Sequence, residues 1–296
     1  MNWNNLVVAI VGGDRREQEI ARCALAAGAE VRAYGFPWPE QGIAGVRRCA
    51  NAAEALEGAQ VALFPIPGIT PDGALFAPQC DQRIIPDRDM LAAMRKNAHI
   101  ILGWADAKLK AHCEALGITL HEYEWDEDLM LLRGPAIVEG MLKVLIENTD
   151  ITIHKSRVCL VGQGTIGSLV THTLLALGAR VHVAARNAVQ RAAAYAAGAE
   201  SHELTELAQV LPDTDIVIAS VPARVLGRDL LETLPKHALL VDLAAPPGGI
   251  DREAAQALGL NFVWARGLGA RAPITVGRSQ WSGVKRRIEN ILKETQ

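Results

Sequence analysis

The sequence predicts an α/β protein built from two doubly wound parallel sheets, and three observations carry that prediction. Short apolar runs alternate with amphipathic, Ala- and Leu-rich segments long enough to be crossover helices. The two halves repeat, since Gly12, Gly28, Ala29 and Val31 recur as Gly162, Gly178, Ala179 and Val181, each 150 positions on. In both halves a glycine directly follows the first apolar run, the punctuation expected where a strand turns sharply into a helix.

The elements follow in order. Strands are expected in the first half at residues 6–11, 30–34, 61–64, 98–102 and 119–122, and in the second at 157–161, 180–184, 216–220, 238–242 and 261–265. The acidic stretch 122–128 closes the first unit. Gly134-Pro135 then opens an apolar helix to about residue 147, because proline suits a first helical turn. An amphipathic segment at about 280–293 lies beyond the last strand and could cross back onto the first unit. The expected organisation is a first domain over 1–133, a bridging helix over 134–150, a second domain over 151–272 and a C-terminal segment over 273–296.

Composition narrows the function. The 296 residues carry 30 Lys plus Arg against 33 Asp plus Glu, a net charge of −3, with half of all residues hydrophobic. That balance excludes disorder and offers no basic footprint for nucleic acid or anionic lipid. The five cysteines are scattered without a C-x-x-C pair, so they are read as reduced thiols. No metal site is expected, since no His, Cys or carboxylate cluster has ligand spacing along the chain. With no cationic leader and no stretch long enough to span a bilayer, the expected setting is the cytoplasm and the expected partner a small molecule. A homo-oligomer is compatible with all of this.

The second half holds the strongest chemical motif. Gly162-Gln163-Gly164-Thr165-Ile166-Gly167 follows one expected strand and opens the next helix, the context of the dinucleotide fingerprint. Gly162 permits the turn, Gly164 lets backbone approach a pyrophosphate, and Gly167 brings helix and strand together. The second domain is therefore expected to be the Rossmann-like, nucleotide-binding one. An NAD site places a carboxylate about 20 residues on, at the end of the second strand, whereas this chain has Ala184-Ala185-Arg186-Asn187. An arginine there favours NADP(H) over NAD. Ser220-Val221-Pro222, after a later strand, is expected beneath the nicotinamide.

The first half reads Gly12-Gly13-Asp14-Arg15-Arg16-Glu17 at the equivalent turn, so Asp14 and Glu17 stand where the second and third glycines would be. Carboxylates there would repel a pyrophosphate, and the turn is read as converted to another task, such as holding substrate. Asp14 reads equally as a helix N-cap, with Arg15 and Arg16 as surface charges. The segments after strands, including Pro65-Ile66-Pro67-Gly68 and 242–249, are where ligand contacts should lie. A 2-hydroxy acid dehydrogenase would need an Arg and a carboxylate-paired His at strand ends that here hold neither, and His237 is read as a turn residue.

Several segments together resemble the A-subunit family of dipicolinate synthase, the NADP-dependent component linked to bacterial sporulation. They are Gly12-Gly13-Asp14-Arg15, Pro65-Ile66-Pro67-Gly68, Val138-Glu139-Gly140, Thr149-Asp150 through His154, Ala185-Arg186 and Asp242-Leu243-Ala244 with its following Pro-Gly-Gly. The match runs in order over nearly the whole chain. The resemblance implies oxidation of dihydrodipicolinate, formed from its hydroxy-tetrahydro precursor, to dipicolinate with hydride passing to NADP⁺. It also implies a separate partner, the flavoprotein subunit of the synthase, and a location in the mother cell. A flat dicarboxylate calls for guanidinium groups, for which Arg15, Arg133 and Arg271 are candidates beside the Pro67-Gly68 turn. Loss of a ring proton calls for a base, for which Asp14, Glu139 and Asp242 stay open. The chain departs from the family at Pro135-Ala136, where Pro-Thr is usual, and at Pro273-Ile274-Thr275, where a lysine is missing that Arg271 or Arg278 could replace. Two rival readings remain: a dehydrogenase of another small carboxylate, and a nucleotide-binding subunit that organises a flavoprotein without catalysing anything.

Overall fold

The computed structural model describes residues 3–294; the ends of the expected outer segments, residues 1–2 and 295–296, lie outside the described residues. The chain divides into two units, one formed by residues 3–133 together with 272–294 and one by residues 134–271.

In the first unit, strands β1 (Val7–Val11), β2 (Glu30–Tyr34), β3 (Val46–Arg48), β4 (Val61–Leu63), β5 (His99–Leu102) and β6 (Thr119–Glu122) form one sheet. It is parallel throughout and ordered β3-β2-β1-β4-β5-β6. Helices α1 (Arg15–Ala26), α2 (Ala52–Leu56), α3 (Arg88–Leu91) and α4 (Ala107–Leu116) connect its strands, and α5 (Glu127–Asn148) leads into the second unit. That unit holds β7 (Arg157–Val161), β8 (Arg180–Ala184), β9 (Glu200–His202), β10 (Ile216–Ala219), β11 (Leu239–Asp242) and β12 (Asn261–Trp264), linked by α6 (Thr165–Ala176), α7 (Ala188–Ala196), α8 (Leu207–Val210), α9 (Arg228–Leu231) and α10 (Arg252–Ala257). Its order, β9-β8-β7-β10-β11-β12, repeats that of the first sheet and is also parallel. The last element among the described residues is α11 (Pro273–Glu294).

Period-two burial explains why these runs are apolar throughout. On β7, Val158 and Leu160 enter one core with Val181 and Val183, while Cys159 and Val161 enter the opposite core with Val217 and Ala219. A parallel sheet covered on both faces requires this. In each unit the strand order reverses beside the first strand, between β1 and β4 and between β7 and β10, so the first strand's terminal turn opens at the switch point where such sheets bind ligands.

Three expectations are corrected. Each sheet has six strands rather than five, because β3 and β9 are three-residue, polar edge strands with no apolar run to announce them. The helix expected to open at Gly134-Pro135 begins at Glu127, and Pro135 lies inside it. The acidic residues read as a terminator, Glu127 and Asp128, instead occupy its first turn, where carboxylates offset the helix dipole. Arg16 is not a surface charge: it is 6% exposed and bound to Asp14.

Helix α11 packs along α1. Gly277 is needed there, since a Cβ would stand 2.7 Å from the Arg16 carbonyl oxygen. Arg278 binds Glu19 at 2.7 Å, Gln280 Nε2 donates to the Leu129 carbonyl at 3.2 Å, and Arg287 reaches the Glu122 carbonyl at 3.0 Å. All five cysteines are free, and burial pushes Cys113 up to about 11 and Cys159 up to about 12, which keeps both as thiols. Among the described residues no helix is long and apolar enough to cross a membrane.

Candidate functional site

In the second unit the turn after β7 has the geometry that a pyrophosphate needs. Gly162 adopts φ +103°, and a Cβ there would lie 2.6 Å from Ser220 Oγ and from Val221 Cγ1. A Cβ at Gly167 would collide with the Gly162 carbonyl. At Gly164 a Cβ would meet nothing within 4 Å, so this position faces open space. Gly164 is also the N-cap of α6 and offers no side chain to its first N–H groups, at Thr165, Ile166 and Gly167. An uncapped helix start facing open space leaves N–H groups that can take an anion.

A cleft of about 380 Å³ adjoins this turn, lined among others by Gly162, Gly164, Ala185, Arg186, Ser220 and Pro222. Gln163, Val221 and Asn187 line it too, though the Gln163 side chain is buried and accepts from Thr171 Oγ1 at 2.8 Å. Ser220 Oγ donates back to the Val161 carbonyl at 3.2 Å, which ties its turn to the β7 end. Arg186 is exposed. The loop carrying it is held by Arg191, which donates to the carbonyls of Ala185 at 3.0 Å and Arg186 at 2.9 Å and pairs with Glu203 at 2.7 Å. Arg191 had no signal in the sequence beyond its place four residues after the helix-capping Asn187.

The equivalent turn in the first unit is filled by its own side chains. Asp14 caps α1 through the Arg16 N–H at 2.9 Å and also takes Arg16 Nη2 at 2.8 Å. Glu17 lies under the turn, its Oε2 accepting from the Asp14 N–H at 2.8 Å and its Oε1 from the Ile66 N–H at 2.9 Å. A Cβ at Gly13 would collide with the Glu17 side chain. Glu17 is 1% exposed, and burial, aided by nearby Asp14, pushes its carboxyl up to about 7 although Arg16 and the two N–H groups favour the charge. Sequence reasoning read Glu17 as repelling an anion and missed that it takes the anion's place.

The remaining named residues are dispersed. Arg15, the first residue of α1, is exposed. Arg133 is 8% exposed and paired with Glu124 at 3.0 Å, beside fully buried Tyr123, whose hydroxyl is pushed up by that burial. Pro67 is exposed, and Gly68, at φ +73°, has no room for a Cβ against the Trp104 backbone. Glu139 and Arg271 pair with each other at the surface, and Arg278, the alternative cation, holds Glu19. Asp242 is 1% exposed and organises the loop after β11, accepting from the N–H groups of Ala244 at 2.9 Å, Gly249 at 2.7 Å and Ile250 at 3.1 Å. The structure also gathers His182, Glu200 and His202, three residues that spacing along the chain had not brought together.

Comparison with known proteins agrees with this division. Residues 7–124 match the model of the N-terminal domain of the dipicolinate synthase A subunit, and residues 145–262 that of shikimate/quinate 5-dehydrogenase. The chain is 28% identical over 274 residues to the dipicolinate synthase A subunit of Bacillus subtilis, covering 92% of each. Among solved structures it is similar to the dipicolinate synthase A subunit from Bacillus halodurans, with a TM-score of 0.89 at 28% identity over 96% of this chain and 98% of the other. The structure of the Bacillus subtilis protein gives a TM-score of 0.86 at 28% identity over 98% of both. The order of the first-unit motifs, the second-unit dinucleotide turn and these whole-length similarities converge: over nearly its whole length the chain is similar to dipicolinate synthase A subunits, with a Rossmann-like dehydrogenase fold in its second unit.

Proposed function

We propose that this chain is the NADP-dependent dehydrogenase subunit of a dipicolinate synthase, oxidising dihydrodipicolinate to dipicolinate. The observation that supports it best is the open glycine turn after β7 with Arg186, and no carboxylate, at the end of β8, in a chain whose similarity to the dipicolinate synthase A subunit spans its length. The residues fit a dinucleotide: open space at Gly164, an uncapped α6 and a cleft running to Arg186. When bound, the nicotinamide supplies the hydride acceptor. Arg186 pairs with the 2′-phosphate, the first N–H groups of α6 hold the pyrophosphate, and the Ser220-Val221-Pro222 turn supports the ring.

The ring loses a hydride to the nicotinamide and a proton to a base, and the gain of aromaticity drives both, so the protein mainly orients and neutralises. Arg15 is exposed and available to a substrate carboxylate, and Arg271 and the Pro67-Gly68 turn are further proposed contacts, whereas Arg133, also proposed, would first have to leave Glu124. Of the three carboxylates, Asp14 and Asp242 are held by backbone N–H groups, which leaves Glu139, paired only to another exposed side chain, to take the proton. A flavoprotein subunit is the proposed partner, the mother cell of a sporulating bacterium the proposed setting, and a homo-oligomer is compatible. One observation favours the rival reading of a non-catalytic nucleotide-binding subunit: each of the three carboxylates already has a partner.

Turnover separates the two. The chain is supplied with freshly generated dihydrodipicolinate precursor and NADP⁺, with and without the flavoprotein, and NADPH and pyridine dicarboxylate are followed against a no-enzyme control. Matched formation of both above the control supports the dehydrogenase. NADP binding with no turnover in either mixture overturns it and favours another carboxylate or an organising role.

A further inference from the structure

Outside the dinucleotide cleft, the edge of the second sheet brings three metal-ligating side chains onto one face. In β9 the period of two puts Glu200 and His202 on the same side, and the register sets His182 of β8 opposite Glu200 and Ala184 opposite His202. His182 Nδ1 lies 3.1 Å from His202 Nε2 and 3.4 Å from Glu200 Oε2, and the three donor atoms all lie within 4.8 Å of one another. Two donors on a tetrahedral zinc-class ion, each about 2.05 Å from it, stand about 3.3 Å apart, so the two His182 spacings of 3.1 and 3.4 Å match its edges. The rings lie nearly parallel, with centroids 5.3 Å apart. His182 is buried, His202 half-buried and Glu200 exposed, which gives the trio a closed floor and an open side for entry and for a fourth, water ligand. Arg157 on the neighbouring strand is ion-paired with Asp213 at 3.2 Å.

We propose that His182, Glu200 and His202 bind a divalent transition ion of the zinc class. Two imidazoles and one carboxylate select Zn²⁺, Co²⁺ or Ni²⁺ over Mg²⁺ and Ca²⁺, which take oxygen donors. The ion's work is structural. Strand β9 has three residues and one neighbour, and the His202 carbonyl receives the Ala185 N–H at 3.1 Å, one residue before Arg186. A metal across β8 and β9 therefore staples the edge strand and steadies the start of the Arg186 loop.

The test uses the full-length, tag-free chain, stripped with a chelator and titrated with ZnCl₂ and, as a spectroscopic probe, CoCl₂, beside His202→Ala and Glu200→Gln. Expected are one equivalent of zinc by equilibrium dialysis and elemental analysis, intense visible Co²⁺ bands of a tetrahedral site, and a Tm that rises with zinc. His202→Ala should weaken binding more than about tenfold and lose the Co²⁺ bands, with a metal-free Tm equal to that of the metal-free wild type. If His202→Ala does not fold, Glu200→Gln, at an exposed position, carries the test through its own weaker binding. Zinc binding and Co²⁺ spectra that are the same in wild type and both variants, or a Tm indifferent to zinc, would overturn the site and leave the imidazoles as a hydrogen-bonded pair.

Discussion

The turns after β1 and β7 occupy the same place in two sheets of the same strand order, yet one is built to receive an anion and the other carries its own. After β7, Gly164 and Gly167 leave the helix start uncapped and the space above it open. After β1, Asp14 and Glu17 stand at the same offsets, and Glu17 takes two backbone N–H groups that would otherwise seek a ligand. The difference is two side chains in a shared backbone frame. Two sheets of one topology thus differ at the second and third turn positions, and the topology alone does not settle what each turn can hold.

The comparison breaks hardest at Glu17. Glu17→Ala leaves the Asp14 and Ile66 N–H groups buried without acceptors and Arg16 with one counter-charge fewer, an expected loss of about 4 kcal/mol at 1–3 per group, read by denaturant unfolding. The same residue has a pH signature. Its folded carboxyl is raised from 4.5 to about 7, so the folded state holds the proton more tightly than the unfolded chain. The stability it contributes is full below 4.5 and is lost as the pH rises to about 7. Glu17→Gln should flatten that slope, and a slope that survives unchanged would assign it to other groups.

Gly164→Asp sharpens the comparison from the other side by giving the second turn the first turn's residue. The new side chain enters open space, so the Tm should hold while NADP(H) affinity, measured by fluorescence titration, falls about 100-fold through repulsion of the pyrophosphate. An intact affinity would mean that the pyrophosphate does not lie on this turn. A smaller effect is expected at the far end of the cleft, where Arg186→Asp should narrow the preference for NADP over NAD about tenfold. Unchanged affinity for both nucleotides would show that Arg186 does not meet the 2′-phosphate.

Much of the architecture was legible because parallel strands buried on both faces must be continuous apolar runs, which marked the central strands, while the edge strands β6 and β12 stood out by their place in the alternation. The two strands missed, β3 and β9, are short polar edges whose existence depends on a neighbour rather than on their own residues. The start of α5 was misplaced because Pro135 is a strong local signal, yet a helix with an acidic first turn accommodates it. At the candidate site the glycines announced themselves through the spacing of the motif, Gly162 and Gly167 for steric reasons and Gly164 for the open space it leaves. Glu17 did not, because a carboxylate beside a glycine turn reads as repulsion until the N–H groups of Asp14 and Ile66 are seen to converge on it. Arg191 and the His182, Glu200 and His202 trio depend on strand register, which one sequence does not display.

The return of α11 to the first unit also sets an order of events during synthesis. Residues 134–271 are an insertion within the first unit, so all of the second unit leaves the ribosome before the first has its last helix. The face of α1 that α11 covers, including Arg16 and Glu19 against Gly277, is made first and completed last. At 5–20 residues per second, the roughly 250 residues between them keep that face waiting for roughly 12–50 s. A nascent chain in this state has one finished lobe and one that still lacks its cover, and it is there that a chaperone, or premature association with a neighbour, would find purchase.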